Sequence, residues 1–278
     1  MIFDVRTRSG ARMPNLGLGT WRMGENAASR PEEIAALRLG LDLGMRLIDT
    51  AEMYGNGGAE RVVAEAVAGR RDDVFIVSKV LPHNASYAGT IAACERSLKR
   101  LATDRIDLYL LHWPGEHPVG ETLRAFVELA DAGKTVHFGV SNFDLDEMIA
   151  AQALPGGANL AVNQVLYNVQ RRGIERKLLP WCAAHGIAAM AYSPFDQGRI
   201  RPDAALRGVA ERHRATPAQI ALAWTLRHEH VVSIPKASRN DHVRDNVKAG
   251  DIVLTELDLD DIDRSFPVPK RDLPLETA

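Results

Sequence analysis

Short apolar runs alternate with amphipathic stretches along most of the chain. Eight of the runs have the length and composition of buried strands; they lie at residues 15–20, 46–50, 74–79, 106–112, 136–141, 160–166, 187–193 and 231–236. Runs that are apolar nearly throughout are typical of strands covered on both faces, as in parallel sheets. The pattern therefore predicts a parallel sheet whose strands are connected through helices.

Helical periodicity fills the segments between these runs. The clearest examples are PEEIAALRLGLDLG, AERVVAEAVAG, GTIAACERSLKRL and ETLRAFVELADAG, several of which end in glycine. In TPAQIALAWTLRHE, Thr216 is expected to be the N-cap and Pro217 the first helical residue. These residues predict where the helices begin and end.

Eight strand–helix units in a chain of this length match the (β/α)8 TIM barrel, an α/β fold of about 250 residues. An open, doubly wound sheet is the structural alternative. The first residues, IFDVRTRSGARMP, predict a β-hairpin that turns at Ser9 and Gly10 and closes the bottom of the barrel. No Ser/Pro-rich linker divides the chain, so residues 1–278 are expected to form a single domain with a short C-terminal tail.

Polar residues finish the second to the eighth run, although the interiors of these runs are apolar. Asp49 ends the second run, Lys79 the third and His112 the fourth, and Tyr54 lies in the loop after Asp49. Each residue alone has a structural explanation, such as a turn cap, a solvated strand-end charge or a core histidine. In a barrel, however, the loops at the carboxyl ends of the strands converge on one mouth. Asp, Tyr, Lys and His at consecutive strand ends therefore indicate an active site.

These four side chains suit the reduction of a carbonyl group. Asp49 is expected to keep a buried Lys79 cationic, and a cationic Lys79 is expected to lower the pKa of Tyr54 from its ordinary value near 10. Such a tyrosine donates a proton to a developing alkoxide, while His112 orients the carbonyl oxygen. No side chain supplies a hydride, so the reaction needs a nicotinamide cofactor.

The segment GNGGAE at residues 55–60 is similar to the start of a dinucleotide-binding fingerprint. A G-x-G-x-x-G motif would need glycine at position 60, which is Glu60. We therefore expect a dinucleotide to contact strand ends elsewhere on the rim.

Charge and composition exclude several classes of function. The chain has 34 basic and 36 acidic residues and a net charge of -2, so binding to nucleic acid through phosphate neutralisation is not expected. The N-terminus has charges from residue 4 and no apolar core of a signal peptide. No run approaches the roughly 18 apolar residues of a membrane span. The sequence predicts a soluble, cytoplasmic protein.

Cysteine and histidine positions do not predict a metal site. Cys94 and Cys182 lie among alanines in helix-like segments and are expected to be buried thiols. The histidines at 83, 112, 117 and 137 lack a paired i, i+4 spacing. His228 and His230 flank Glu229 at a helix end, where a solvated cluster is expected.

Several motifs in a fixed order resemble the aldo-keto reductase superfamily. They are LIDTAEMYG, VSK, LLHW, GVSN, NQVLY, AYSP and IPKAS, and the resemblance covers nearly the whole chain. GTWRMGE, LLHWPG and NQVLYN with LLPWC are most similar to the bacterial branch of methylglyoxal reductases and 2,5-diketogluconate reductases. The resemblance implies a catalytic tetrad of Asp49, Tyr54, Lys79 and His112, and NADPH extended across the barrel mouth.

The resemblance also implies which residues contact NADPH. Ser141, Asn142 and Gln164 match positions that hold the nicotinamide carboxamide, and Tyr192 matches the aromatic residue that stacks on the ring. The remaining matches are Ser193 at the pyrophosphate, Gly19, Thr20 and Trp21 with Asp49 near the ribose and nicotinamide, Lys236 at the 2′-phosphate, and Asp245 and Asn246 near the adenine.

Two positions depart from the pattern of the superfamily. Ala237 stands where many relatives have serine, and His242 where many have arginine. Ser238 and Arg239 are the residues that would substitute for them. We therefore expect NADPH to be preferred and NADH to be used less well, with less discrimination against NADH than the strictest relatives show.

The resemblance implies an apolar substrate site walled by Trp21, Met53 and Trp113, with Tyr54 and His112 at the reacting end. The short tail, FPVPKRDLPLETA, suggests an open site for small or varied aldehydes. Family precedent implies a monomer.

Four alternatives remain open. A barrel aldolase would use Lys79 as a Schiff-base amine, but this requires a neutral lysine, and Asp49 favours a cation. A metal-dependent barrel hydrolase would need clustered ligands. A regulatory protein on the same scaffold would bind the nucleotide and turn over slowly, and a sugar or 2,5-diketogluconate reductase would differ only in substrate.

Overall fold

The structure, a computed structural model, describes residues 2–201 and 203–278. The strands in these residues are β1 (Asp4–Arg6), β2 (Arg12–Pro14), β3 (Gly17–Gly19), β4 (Leu47–Asp49), β5 (Phe75–Val80), β6 (Ile106–Leu111), β7 (Thr135–Ser141), β8 (Leu160–Leu166), β9 (Ala188–Tyr192) and β10 (Val231–Ser233). The α-helices are α1 (Arg30–Asp42), α2 (Gly58–Ala66), α3 (Tyr87–Leu101), α4 (Val119–Asp131), α5 (Leu145–Gln152), α6 (Leu178–Ala184), α7 (Ala204–His213), α8 (Pro217–Thr225), α9 (Asn240–Ala249) and α10 (Glu256–Ser265). All eight strands predicted for the barrel are present.

Strands β3 to β10 form one parallel sheet in which each strand pairs with the next in the sequence. Parallel bridges from Leu16 to Ser233 and from Gly19 to Lys236 join its two edges. The N–H of Gly19 also donates to the carbonyl oxygen of Pro235 at 3.0 Å. The sheet therefore closes on itself, which confirms the (β/α)8 barrel and excludes the open, doubly wound sheet.

The N-terminal hairpin covers the end of the barrel at which the strands begin. Strands β1 and β2 pair antiparallel, and Gly10 in their turn has a φ of 89°, a conformation that favours glycine. Val5 and Met13 are fully buried against the apolar residues inside the barrel. The N–H of Arg8 donates to the carbonyl of Gly186, just ahead of β9. The predicted bottom closure is confirmed.

Two apolar cores lie on the two faces of the sheet. Successive side chains of a strand point to opposite faces, and Leu47 and Val77 pack inside the barrel whereas Ile48 and Ile76 pack under the helices. Asp49 follows Leu47 by two positions, and Lys79 follows Val77 by two. This alternation directs the carboxylate and the ammonium into the top of the barrel.

The predicted cap of α8 is confirmed. The N–H of Gln219 donates to the Thr216 hydroxyl at 3.2 Å, and the N–H of Thr216 donates to the Gln219 side chain at 2.9 Å. Cys94 and Cys182 are free and buried, as expected. The longest helix described, α3, has 15 residues, and none in residues 2–201 and 203–278 has the length and hydrophobicity to cross a membrane.

Candidate active site

Lys79 lies at the centre of the polar group in the barrel mouth. Its ammonium donates to the Asp49 carboxylate at 2.8 Å, to the carbonyl oxygen of Thr50 at 2.8 Å and to the Tyr54 hydroxyl at 3.3 Å. Lys79 is 0% exposed and Asp49 2% exposed. A lysine without contact to water keeps its charge only beside a carboxylate and oxygen acceptors, and Lys79 has both.

Glycines place Tyr54 over this pair. Tyr54 begins a tight turn in which Gly55 and Gly57 have φ of 55° and 80°. A Cβ on Gly58 would lie 2.4 Å from the carbonyl oxygen of Gly24, so the loop packs directly on the segment that follows β3. The glycines of GNGGAE thus serve a turn and a close backbone approach.

The aromatic ring of Tyr54 is held from two sides. Its centroid lies 5.4 Å from that of Trp21 and 5.8 Å from that of His112, both with edge-to-face geometry. His112 in turn lies beside Trp113, with ring centroids 4.8 Å apart. The four rings form one wall that fixes the direction of the phenol.

The expected direction of the Tyr54 pKa is wrong for this structure. Burial of the phenol, and then the charge of Asp49, raise its pKa well above 10. Burial also disfavours the charged form of Lys79 and therefore lowers its pKa, and Asp49 opposes that shift. The phenol is therefore protonated at neutral pH, and it is positioned to donate a proton.

His112 is neutral at physiological pH. Burial, and then the charge of Lys79, lower its pKa to about 2. Its Nδ1 is buried and has no hydrogen-bond partner among the described residues, while its backbone carbonyl accepts from the Asn142 side chain at 3.1 Å. A neutral imidazole can donate one N–H to a carbonyl oxygen without bringing a second positive charge next to Lys79.

A chain of hydrogen bonds joins the polar residues predicted on β7, β8 and β9 to the tetrad. The Gln164 amide donates to Asp49 at 2.8 Å, and the Ser141 hydroxyl donates to the Gln164 carbonyl at 2.9 Å. The Tyr192 hydroxyl donates to the Asn142 side chain at 2.8 Å. Asp49 therefore accepts on both sides of its carboxylate, from Lys79 and from Gln164.

A cavity of about 980 Å³ opens above these residues. The predicted site residues on its wall are Gly19, Trp21, Asp49, Met53, Tyr54, His112, Trp113, Ser141, Asn142, Gln164, Tyr192, Ser193 and Lys236. Thr20 and Lys79 are fully buried beneath it, and the Thr20 hydroxyl donates to the carbonyl of Asp49 at 2.9 Å. Thirteen of the predicted residues thus line one cavity, and this cavity is large enough for a small-molecule ligand.

Four predicted cofactor residues lie outside this wall, towards α9. The Ser238 hydroxyl accepts from the Lys236 ammonium at 3.1 Å, whereas the Arg239 guanidinium is paired with Asp241. The Asp245 carbonyl accepts from Gln219 at 3.3 Å, and Asn246 is 5% exposed. The structure therefore joins Ser238 to Lys236 but turns Arg239 to a neighbouring carboxylate.

An extended dinucleotide fits this arrangement. The buried side-chain nitrogen of Asn246 has no hydrogen-bond partner among the described residues, so a ligand beside α9 would satisfy it. Lys236 is exposed beside Ser238, at the end of the cavity wall that leads towards α9. A cation and a hydroxyl side by side are suited to a phosphate.

Sequence patterns did not identify two other parts of the wall. One is the loop after β9, which contributes Phe195, Gln197 and Gly198; the other is the chain end at Thr277 and Ala278. Their only local signal is the glycine in SPFDQG. Both segments reach the mouth through tertiary folding, which hydrophobic periodicity does not encode.

The tail is held across the mouth by ion pairs. Arg171, in the loop after β8, lies 2.8 Å from Glu276 and 3.6 Å from Asp196 in the loop after β9. Beyond Glu276, the last two residues, Thr277 and Ala278, line the same cavity as Tyr192. Although the tail is short, it therefore covers part of a site that was expected to be open.

His228 and His230 are less solvated than expected. Their rings lie 5.6 Å apart, and both Nε2 atoms are buried and have no hydrogen-bond partner in the described parts of the chain. The residues 2–201 and 203–278 contain no group of three or more His, Cys, Asp or Glu side chains arranged to hold a metal.

Comparisons with known proteins match nearly the whole of this fold. The profile of the Aldo/keto reductase family matches residues 15–266. The chain is 48% identical over 263 residues to methylglyoxal reductase YeaE of Escherichia coli, and the match covers 93% of each protein. It is 36% identical over 263 residues to glyoxal reductase of Bacillus subtilis, covering 93% of this chain and 91% of the relative.

A crystal structure of an aldo-keto reductase from Klebsiella pneumoniae in complex with NADPH superimposes with a TM-score of 0.96. It has 47% sequence identity, and the superposition covers 100% of both chains. This chain forms a closed (β/α)8 barrel with these polar strand ends, and the family profile matches its residues 15–266. It belongs to the aldo/keto reductase family.

Proposed function

We propose that this NADPH-dependent carbonyl reductase converts small aldehydes and ketones of the methylglyoxal type to alcohols, with Tyr54 as the general acid. The observation that carries the proposal is the Lys79 ammonium, which contacts both the Asp49 carboxylate and the Tyr54 hydroxyl inside the barrel mouth. This arrangement delivers a proton to an oxygen atom, and the tetrad roles of these residues follow from it.

The residues that would hold NADPH form a path along the rim. Ser141, Asn142 and Gln164 would bind the carboxamide, Tyr192 would pack on the ring, and Lys236 with Ser238 would bind the 2′-phosphate. Ser193 and Gly19 to Trp21 would line the middle of the path, and Asn246 would complete it near the adenine. A bound nicotinamide supplies the hydride that reduces the carbonyl carbon.

The side chains of the tetrad transfer the proton and stabilise the charges that this transfer creates. Tyr54 donates its hydroxyl proton to the carbonyl oxygen as negative charge develops there. The Lys79 ammonium stabilises the phenolate that remains, and Asp49 balances the charge of the ammonium. His112 donates an N–H to the same oxygen, which directs the carbonyl towards Tyr54.

The walls of the site favour small substrates. Trp21 and Trp113 are 41% and 37% exposed and flank the reacting end, while Thr277 and Ala278 narrow the mouth. Relatives named methylglyoxal reductase and glyoxal reductase support small dicarbonyl compounds as the substrate class. A 2,5-diketogluconate or other sugar carbonyl reductase is the second candidate, supported by a structural neighbour of that name at 32% identity.

Loss of absorbance at 340 nm with methylglyoxal tests the proposal directly. We expect NADPH-dependent turnover that saturates, with weaker turnover when NADH replaces NADPH. Higher kcat/KM for 2,5-diketogluconate would select the second candidate. Tight NADPH binding without turnover of either substrate or of other small aldehydes would favour a nucleotide-binding regulatory protein.

Replacing Lys236, whose ammonium is expected to bind the 2′-phosphate, should reduce the preference for NADPH over NADH. In Lys236→Met the 2′-phosphate loses a charge-assisted partner of about 1.5–3 kcal/mol. We expect KM for NADPH to rise roughly 10- to 100-fold, with KM for NADH and kcat with either cofactor nearly unchanged. Steady-state kinetics with both cofactors measure this. Arg239→Met is the matched control, because its guanidinium already pairs with Asp241; a larger effect there than in Lys236→Met would contradict the assignment.

Freeing the tail should widen the substrate range. Arg171 and Glu276 are 40% and 34% exposed, so the pair adds at most about 1 kcal/mol to stability. In Arg171→Met we expect KM for a bulky aromatic aldehyde to fall several-fold, because the tail opens more easily, while KM for methylglyoxal stays the same. Arg105→Met, which breaks a surface pair with Asp72, is the control. An equal change in KM for both aldehydes would rule out a role for the tail.

A further inference from the structure

A second buried carboxylate lies behind the tetrad, outside the barrel wall. Glu60 is 0% exposed and belongs to the first turn of α2. Its carboxylate accepts a hydrogen bond from the Ser78 hydroxyl at 2.7 Å and pairs with the guanidinium of Arg100. No step of the proton transfer described above uses these three side chains.

This group connects the two elements that carry the reacting side chains. Helix α2 starts directly after the turn that holds Tyr54, and Ser78 precedes Lys79 on β5. Because neighbouring residues on a strand face opposite sides, Ser78 points under the helices while Lys79 points into the barrel. The bond from Ser78 to Glu60 therefore fixes the start of α2 against the strand of Lys79.

Arg100 secures the same junction from α3. A Cβ on Gly57 would lie 2.5 Å from the Arg100 side chain, so the arginine packs across the backbone of the Tyr54 turn. Arg100 also donates to the Ser97 hydroxyl at 3.1 Å. The carboxylate of Glu60 thus joins α2, β5 and α3 at one point behind the Lys79–Tyr54 contact.

We propose that Glu60 is a positioning residue for the reduction: it sets the distance between Tyr54 and Lys79, and its negative charge stabilises the Lys79 ammonium. The proposal rests on the proposed function, since it assumes that the Lys79–Tyr54 contact carries the proton transfer. It assigns a functional role to a carboxylate that touches neither substrate nor cofactor.

Stability alone does not account for charges at this place. A buried ion pair is often replaced by apolar residues of similar volume at no cost in stability. A charged Glu60 does have a consequence at the site, however, because Asp49 and then Glu60 raise the pKa of Lys79 against the effect of burial. Inside the barrel, the titratable groups around Lys79 are Asp49 from β4, Tyr54 from its turn and His112 after β6, whereas Glu60 from α2 acts on it from behind the barrel wall.

The sign of the expected change with pH follows from these charges. Glu60→Gln keeps the shape and can still accept from Ser78, but it removes one negative charge from the neighbourhood of Lys79. The pKa of Lys79 then falls, and its ammonium loses the proton at lower pH. A reaction that requires the ammonium loses its rate at lower pH as well.

The experiment compares Glu60→Gln with Asp258→Asn in the intact enzyme with NADPH and methylglyoxal. Asp258 lies on α10, which is distant in sequence from the tetrad; it is also buried, at 1% exposure, and it bonds Arg212 and His213 on α7. For Glu60→Gln we expect kcat to fall about tenfold, the alkaline limb of the kcat profile to move down by at least half a pH unit, and the Kd for NADPH to stay within twofold. For Asp258→Asn we expect a lower melting temperature but the wild-type pH profile.

The outcomes separate the proposal from a role in folding. A pH profile of Glu60→Gln that coincides with wild type, with a melting temperature as low as that of Asp258→Asn, would overturn it. If Glu60→Gln does not fold, Ser78→Ala removes only the hydroxyl and keeps the charge; it should lower kcat several-fold without moving the alkaline limb, and an unchanged kcat would overturn the positioning role. An inactive wild type would instead refute the proposed function.

Discussion

Tyr54→Phe is expected to lower kcat for aldehyde reduction by about 10²–10⁴-fold, the range of a positioned general acid. The substitution removes the one hydroxyl group, among the described residues, that accepts a hydrogen bond from the Lys79 ammonium, and Tyr54 lines the cavity. The ring remains, so its contacts with Trp21 and His112 should hold the loop in place. Binding of NADPH, followed by quenching of protein fluorescence, should therefore be nearly unchanged.

The loss should appear in the chemical step alone. Single-turnover measurements would show slow hydride transfer with an unchanged KM for the aldehyde to within a few-fold. Tyr87→Phe is the matched control, because that hydroxyl bonds Glu128 on the surface and does not line the cavity. A Tyr54→Phe enzyme with more than a tenth of the wild-type kcat would show that another group protonates the alkoxide.

The positions of Asp49 and Lys79 were predictable because a strand has a period of two. Each residue follows an inward apolar neighbour by two positions, so the same pattern that buries Leu47 and Val77 also points the two charges into the mouth. Closure of the barrel was predictable from the number of strand–helix units. These features depend on local alternation, which a single sequence records.

The pKa of Tyr54 was not predictable in the same way. Its direction depends on how deeply the phenol is buried and on its distances from Asp49 and Lys79, and the reasoning from residue types assigned the larger effect to the lysine. In the structure burial dominates, and the Asp49 charge adds to it. The pKa of a buried group depends on its distances from neighbouring charges, and the order of residues in the sequence does not specify these distances.

The tail shows a second limit of reading the sequence. Its shortness suggested an open mouth, but Arg171 and Glu276 are more than 100 residues apart in sequence, and their contact brings Thr277 and Ala278 to the cavity. Long-range ion pairs between loops carry no periodic signal. The contacts of Glu60 also have no signal in the sequence. The sequence showed only that Glu60 stands where a G-x-G-x-x-G motif would need glycine.

Asp49→Asn is expected to lower both activity and stability. It leaves the Lys79 ammonium, which is 0% exposed, without its counter-ion. Removing one partner of a buried pair costs about 3–5 kcal/mol, which corresponds to a fall in melting temperature of roughly 10 °C. The Asn amide would also have to meet the Gln164 amide, which now donates to the carboxylate at 2.8 Å. We expect kcat to fall at least as far as in Tyr54→Phe, because the substitution disturbs both the Tyr54 proton donor and the Lys79 ammonium that contacts it.

The stability loss should depend on pH in a way that identifies its cause. Burial already lowers the pKa of Lys79 in the folded protein, and without Asp49 it falls further. Between that folded-state pKa and the unfolded value near 10.4 the unfolded chain binds the extra proton, so stability rises with pH. The gap between Asp49→Asn and wild type should therefore be full near neutral pH and shrink under alkaline conditions, as chemical denaturation at several pH values would measure. Adding Lys79→Met removes the buried charge, so the double variant should recover part of the stability and lose the pH dependence. A gap that stays constant with pH in the single variant would mean that lost hydrogen bonds, and not the uncompensated ammonium, destabilise the fold.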